Sequence, residues 1–187
     1  MFKAQTVDNF LSKKDCKYLI NTLKEVNTWE IGGSSFWDNR SLSGENIYDN
    51  IDKKAGSILY DLVPKIEKTI KDLYNEKCIY PELIQVIRWF PGMEQHPHCD
   101  DMTNSKGYEA YGHRHYGSIL YLNNDYSGGH TFYPNHNIEI IPQIGTLAIH
   151  PGDLNHLHGV TKIKNNIRYT IASFWTRDKK YHNEWNI

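Results

Sequence analysis

The sequence predicts an α+β fold that is mainly β, with helices in the N-terminal part buttressing one sheet of a body built from short strands. Three observations carry this. Before about residue 80, apolar residues recur at helical spacing. After Ile79 they fall into short or alternating runs separated by turn residues. The chain of 187 residues, 39% hydrophobic and 23% charged, has the length and mixture of one globular domain with a substantial core.

Residues 1–80 read as mostly helical support. Ser12-Lys13-Lys14-Asp15 resembles a capping box, and Cys16, Leu19, Ile20 and Leu23 follow on one helix face. The Gly-, Ser- and Asn-rich stretch 32–44 reads as a loop, whose Phe36 and Trp37 cover a core edge or line a cleft. A second helical segment runs from about Ile51 to Tyr74, with Leu59, Leu62, Val63, Ile66, Ile70 and Leu73 as its apolar stripe. Pro64 is expected to kink or split it, because proline lacks a donor and clashes with the preceding turn.

From there strands are expected over Leu83–Phe90, Tyr116–Leu122, His130–Tyr133, Ile138–Ile141, Thr146–His150, His158–Ile163 and Tyr169–Trp175. Pro91-Gly92, Asn123-Asn124-Asp125, Gly128-Gly129, Pro151-Gly152 and Asn165-Asn166 separate them. Many short strands at this spacing predict a sandwich or barrel over 80–178 and a single domain over 1–187.

Composition narrows the function. A formal net charge of −1 gives no global positive field toward nucleic acid or anionic lipid. Cys16, Cys78 and Cys99 contain no C-x-x-C pair, so neither a disulfide framework nor a thiolate zinc site is expected. The segment Met1–Thr6 lacks the apolar core of a signal peptide, and no stretch reaches the roughly 18 apolar residues of a membrane span. The expected setting is soluble and cytoplasmic, with no membrane partner.

The chemical signal lies in Gln95-His96-Pro97-His98-Cys99-Asp100-Asp101. Residues two apart in a strand share a face, so His98 and Asp100 can offer an imidazole nitrogen and a carboxylate oxygen to one ion. A distant His would complete two His and one carboxylate, a set that leaves positions open on the metal. H-x-D alone is equally compatible with an ordinary hydrogen-bonded pair. His182-Asn183-Glu184 has a similar spacing in a polar tail without strand context. Downstream, His158 precedes Arg168 by ten residues across a turn at Lys164-Asn165-Asn166. Two antiparallel strands joined there would place both side chains inside one barrel. An arginine inside the run Arg168–Trp175 is costly unless it meets an anion, and a carboxylate suits its paired donors. The other reading is a surface arginine on the opposite strand face.

These residues resemble the 2-oxoglutarate/Fe(II)-dependent dioxygenase superfamily, in its prolyl 4-hydroxylase-like branch. The resemblance runs through Val7–Ser12 with Cys16 and Leu19-Ile20, then Trp89, Gly92, His98 and Asp100. It continues through Arg114 with Tyr121-Leu122-Asn123, Gly128-Gly129-His130-Thr131-Phe132, Gly145–Ile149, and His158 with Arg168. It implies a double-stranded β-helix, or jelly roll, and assigns roles by position. His98, Asp100 and His158 are the expected iron ligands and catalytic centre. Arg168 is the expected partner of the 2-oxoglutarate distal carboxylate, helped by Tyr121 and by Thr170. His156 shares the expected strand face of His158, but Asn166, ten residues beyond it, could not pair with a carboxylate. His130 stands where the branch often has Glu, and Cys99, in the middle of H-x-D, is expected to point away from the metal.

The implied cofactors are Fe(II), 2-oxoglutarate as co-substrate and O2, with ascorbate as reductant. The implied reaction hydroxylates an unactivated C–H bond, on a prolyl residue of a peptide or protein. The alternatives are a free amino acid or other small molecule, a modified nucleobase, and a non-catalytic jelly roll that binds a metal or ligand. Residues 102–115, with Gly107, Tyr108, Tyr111, Gly112 and His113, read equally as a lid or as an exposed connection.

Overall fold

The computed structural model describes residues 4–30, 36–101 and 111–184. Among the described residues, ten strands form two antiparallel sheets: β1 (Gln5–Val7), β2 (Ser41–Ser43), β3 (Tyr80–Trp89), β4 (Gln95–His98), β5 (Tyr116–Tyr121), β6 (Thr131–Tyr133), β7 (Ile138–Ile140), β8 (Leu147–Pro151), β9 (His158–Val160) and β10 (Arg168–Thr176). The six-stranded sheet has the order β1-β8-β5-β10-β3-β2, and the four-stranded sheet β4-β9-β6-β7. Two facing antiparallel sheets with these crossed connections form the jelly roll expected from the sequence.

The described residues also hold three α-helices: α1 (Lys13–Leu23), the single turn α2 (Gly44–Asn46), which runs into a wide π-type turn at Ile47–Ile51, and α3 (Lys53–Tyr74). The Ser12 hydroxyl accepts the Asp15 amide and donates to its carboxylate, closing the expected cap. Cys16, Leu19 and Leu23 of α1 and Leu59, Leu62, Val63, Ile66 and Ile70 of α3 are buried in one core with Ile84, Val86, Leu120, Ile149 and Ile171. The helices therefore cover one face of the six-stranded sheet. Its other face meets the four-stranded sheet, where Ile87, Trp89 and Ala172 pack against Val160 and Ile163.

Several local expectations change. The first 80 residues also hold β1, paired with β8, and β2, paired with β3. Pro64 does not split α3, which runs for 22 residues. Pro64 is exposed, so water can reach the carbonyl left without a donor, and the buried stripe on the opposite face holds the helix together. Leu73, assigned to that stripe, is exposed near the helix end. β9 and β10 do not pair with each other. The segment between them crosses from one sheet to the other.

Candidate metal centre and its carboxylate pocket

β4 and β9 place His98 and His158 directly opposite one another. Cross-strand partners share a face, and the two rings lie 4.5 Å apart between centroids. Asp100 reaches the same place from a turn just beyond β4, not from the strand itself. One donor atom from each of His98, Asp100 and His158 lies within 4.8 Å of the other two. Asp100 and His158 are buried, and His98 is half-buried.

The hydrogen bonds around these rings set their tautomers. His98 Nδ1 donates to the His96 carbonyl and His158 Nδ1 to the His156 carbonyl, each at 3.1 Å. A carbonyl only accepts, so both Nε2 atoms carry the lone pair that an ion would take; on His98 that atom lies 3.3 Å from the Gln95 side-chain nitrogen, a contact an ion would replace. Burial pushes the His158 imidazole pKa down to about 3, with the neighbouring His150 adding to the effect, so the ring is neutral at physiological pH. Burial opposes the Asp100 charge, but the imidazoles of His158, His150 and His98 outweigh it and hold the carboxyl below the usual range.

Asp100 is fixed by a chain that sequence reading missed. His150 Nε2 lies 3.1 Å from Asp100 Oδ2, and its Nδ1 lies 2.9 Å from the Tyr133 hydroxyl. Burial drives the Tyr133 pKa well up, so its phenol keeps its proton and donates to Nδ1. The proton of His150 then sits on Nε2 and goes to Asp100. This leaves Oδ1, 3.7 Å from His158 Nε2, turned toward the two ligand-type imidazoles. Gly117 makes the close approach possible, because a Cβ there would lie 2.1 Å from Asp100 Oδ2 and 2.7 Å from His150 Nε2. Two imidazoles and one carboxylate in this arrangement suit a divalent transition ion with positions left open.

The second part of the site sits on the facing sheet. Arg168, the first residue of β10, lies opposite Trp89 of β3, and Thr170 lies opposite Tyr121 of β5. Alternation puts Arg168 and Thr170 on one face, and both are buried, as is Tyr121. Arg168 Nε and Nη2 have no hydrogen-bond partner among the described residues. Gly129 leaves room for this side chain, since a Cβ there would stand 3.0 Å from Arg168 Cδ. The Tyr121 hydroxyl is 2.7 Å from Thr131 Oγ1, with the Arg168 guanidinium 5.4 Å from its ring centre. A buried guanidinium with two unused donors is a receptor for a carboxylate. The donor set and this orphaned arginine together fit a metal and a dicarboxylate bound side by side.

The other sequence candidates fall elsewhere. His156 lies in a 3-10 turn, with Nδ1 2.7 Å from Asp153, rather than on the strand with His158. His182 and Glu184 lie in the polar C-terminal segment, 4.0 Å apart and away from this centre. His130 pairs with Glu139 at 2.6 Å. Cys99 is buried and its thiol is pushed up to about 12 by burial and the neighbouring Asp101, which makes it inert packing. Arg114 is held by Glu82 through both Nε and Nη2. Of the expected lid, residues 102–110, including Gly107 and Tyr108, lie outside the described residues. Tyr111 is exposed beneath the Arg114 guanidinium, and His113 stacks on Tyr181.

The model of the 2OG-Fe(II) oxygenase superfamily matches residues 84–177, half of the chain, and the protein belongs to that superfamily. It is an Fe(II)- and 2-oxoglutarate-dependent dioxygenase. A protein of Acanthamoeba polyphaga mimivirus with a provisional prolyl 4-hydroxylase name is 27% identical over 183 residues, covering 87% of this chain and 73% of its own. Prolyl 4-hydroxylase 1 of Arabidopsis thaliana is 27% identical over 67% of this chain, and the match spans 44% of its length. Among solved structures, a Trichoplax adhaerens prolyl hydroxylase bound to a hypoxia inducible factor peptide fragment aligns with a TM-score of 0.74 at 18% identity, over 97% of this chain and 86% of its own. A viral collagen prolyl hydroxylase of Paramecium Bursaria Chlorella virus-1, in complex with 2-oxoglutarate, aligns at 0.68 and 19% identity, over 95% and 97%. These two likenesses establish the fold. Among the described residues, no helix is long and apolar enough to cross a membrane.

Proposed function

We propose that this dioxygenase hydroxylates a prolyl residue in a peptide or protein, with His98, Asp100 and His158 as iron ligands and Arg168 as the 2-oxoglutarate-binding cation. The observation that carries the site assignment is the buried, orphaned guanidinium of Arg168 on the sheet facing the two-His, one-carboxylate cluster. The prolyl substrate is supported by the prolyl 4-hydroxylase relatives and by the peptide held in the Trichoplax neighbour. When bound, Fe(II) and 2-oxoglutarate supply O2 activation coupled to oxidative decarboxylation, with ascorbate as an auxiliary reductant. The chain's own residues supply binding and order. His98 and His158 offer Nε2, Asp100 offers Oδ1, and Arg168 takes the distal carboxylate, with Tyr121 and Thr170 lining its seat. Burial of Arg168, Tyr121 and Thr170 keeps water from that carboxylate, which strengthens the charge-assisted pair.

The reading extends to the whole chain. Residues 1–187 act as one unit, with 1–80 supporting the jelly-roll core at 80–178. The free thiols Cys16, Cys78 and Cys99 suit a reducing, cytoplasmic setting.

The test follows succinate formation and peptide oxygenation by mass after O2 is admitted to protein, Fe(II), 2-oxoglutarate and a proline-rich peptide pool. Succinate that rises with peptide, accompanied by a gain of one oxygen on proline, is the expected result. His98→Ala should abolish both. Arg168→Ala should weaken 2-oxoglutarate binding by about two orders of magnitude, the equivalent of about 3 kcal/mol for a lost charged hydrogen-bond pair. Succinate without peptide oxygenation would redirect the substrate assignment. Turnover that survives in both variants would overturn the site.

A further inference from the structure

A second arginine shares the Arg168 pocket. Arg40 stands just before β2 and is 2% exposed. Its guanidinium carbon lies 4.1 Å from the centre of the Trp89 ring, 4.3 Å from Phe36 and 4.8 Å from Trp37. Arg168 approaches the same Trp89 ring, with its guanidinium carbon at 5.3 Å. One indole therefore stands within reach of two buried cations. Arg40 Nη1 donates to the Phe36 carbonyl at 2.8 Å, and Nε makes a long contact of 3.4 Å to the Arg88 carbonyl. Nη2 has no partner among the described residues, and neither does the buried indole Nε1–H of Trp89.

Neither guanidinium forms an ion pair with a described carboxylate. Burial, and then the repulsion of Arg168, lower the Arg40 pKa to about 10. The aromatic rings offset part of that cost through cation–π contact but cannot accept the unused N–H groups as a carboxylate would. Two buried positive charges with neighbouring sets of orphan donors call for a compensating anion.

We propose that Arg40 Nη2 and the Trp89 indole N–H bind a carboxylate beside Arg168. The inference rests on assigning this pocket to 2-oxoglutarate. The carboxylate is either the distal group of that co-substrate, gripped from two sides, or an acidic side chain next to the target residue of a peptide.

The experiment is titration of the metal-loaded, oxygen-free protein by calorimetry, with two matched ligand pairs. 2-Oxoglutarate is compared with 2-oxobutyrate, which keeps the chelating end but has no distal carboxylate. A proline peptide with a Glu beside the proline is compared with its Gln twin in the presence of 2-oxoglutarate. Arg40→Met removes the donors at similar side-chain length, Trp89→Phe keeps an aromatic ring without the N–H, and Arg40→Lys keeps the charge. The expected result is a loss of at least tenfold in Arg40→Met for the member of one pair that carries the extra carboxylate, with its twin unchanged. Trp89→Phe should give a smaller loss of the same kind, and Arg40→Lys a partial recovery. Movement in the first pair assigns the position to the co-substrate, and movement in the second assigns it to the substrate. Equal effects on both members of each pair, or none in either, would overturn the proposal. Thermal melting of each variant separates unfolding from lost binding, and Trp89→Phe carries the test if Arg40→Met fails to fold. A native protein that binds no 2-oxoglutarate would fail the functional reading itself, a result separate from any Arg40 effect.

Discussion

Asp100 illustrates how neighbouring side chains aim one carboxylate oxygen. One oxygen is claimed by His150, which the Tyr133 phenol holds in turn, so the other is left to face the two imidazoles. His98 and Asp100 could be read in the sequence because H-x-D is a local spacing, and His158 with Arg168 because a buried arginine in an apolar strand demands an anion. His150 gave no such signal. A lone His at the end of the apolar run Leu147–Ile149 looks like a core residue, and its partner lies 50 positions away. Replacing it tests the support. His150→Phe preserves bulk but deletes the donor to Asp100, and it should weaken metal binding about ten- to a hundredfold, the usual cost of losing such an outer hydrogen bond. Titration of the variant with Mn(II) as an oxygen-stable probe reads this directly. Gly117→Ala should do more damage, because its Cβ would occupy space already held by Asp100 and His150.

At the scale of elements, long patterns were legible, as were the three-residue strands β6, β7 and β9, which turn residues bracket, while β1 and β2 were not. α1, α3 and β10 each present enough residues for a period to emerge. β1 and β2 have three residues apiece, and their pairing with Ile149 and Ile87 is decided far away in sequence. The link from His158 to Arg168 misled in a similar way. A turn sequence marks a reversal but does not say that the chain also changes sheet, so the two residues lie on different sheets instead of along a hairpin. α3 shows tertiary packing overriding propensity. The buried stripe from Leu59 to Ile70 keeps the helix intact through Pro64 at a local cost. Pro64→Ala should therefore raise stability by about 1–3 kcal/mol, since proline in a helix interior costs roughly 3 kcal/mol relative to alanine. Urea unfolding measures it. An unchanged midpoint would mean that α3 carries its proline without strain.

The whole molecule places its proposed site at the seam between two sheets. The four-stranded sheet and its adjoining turn bring His98, Asp100 and His158, while the six-stranded sheet brings Arg168, Tyr121, Thr170 and Trp89. The helices stabilise the second sheet from behind, which leaves the first with less support of its own. An ion bound by His98, Asp100 and His158 would join β4, the turn after it and β9 across 60 positions of sequence. The unfolded chain cannot assemble those donors, so binding must favour the folded state. At a metal concentration a hundred times the dissociation constant the gain is about 2.7 kcal/mol. For a chain of this length each kcal/mol moves the midpoint by roughly 2–4 °C, so Mn(II) or anaerobic Fe(II) should raise it by roughly 5–11 °C. Addition of 2-oxoglutarate should raise it further, because Arg168 then gains the anion its burial lacks. His98→Ala should remove the metal-dependent part. Arg168→Ala should keep that part and lose the second. Differential scanning calorimetry with and without each ligand separates the two contributions. A metal shift that survives His98→Ala would place the ion elsewhere on the molecule.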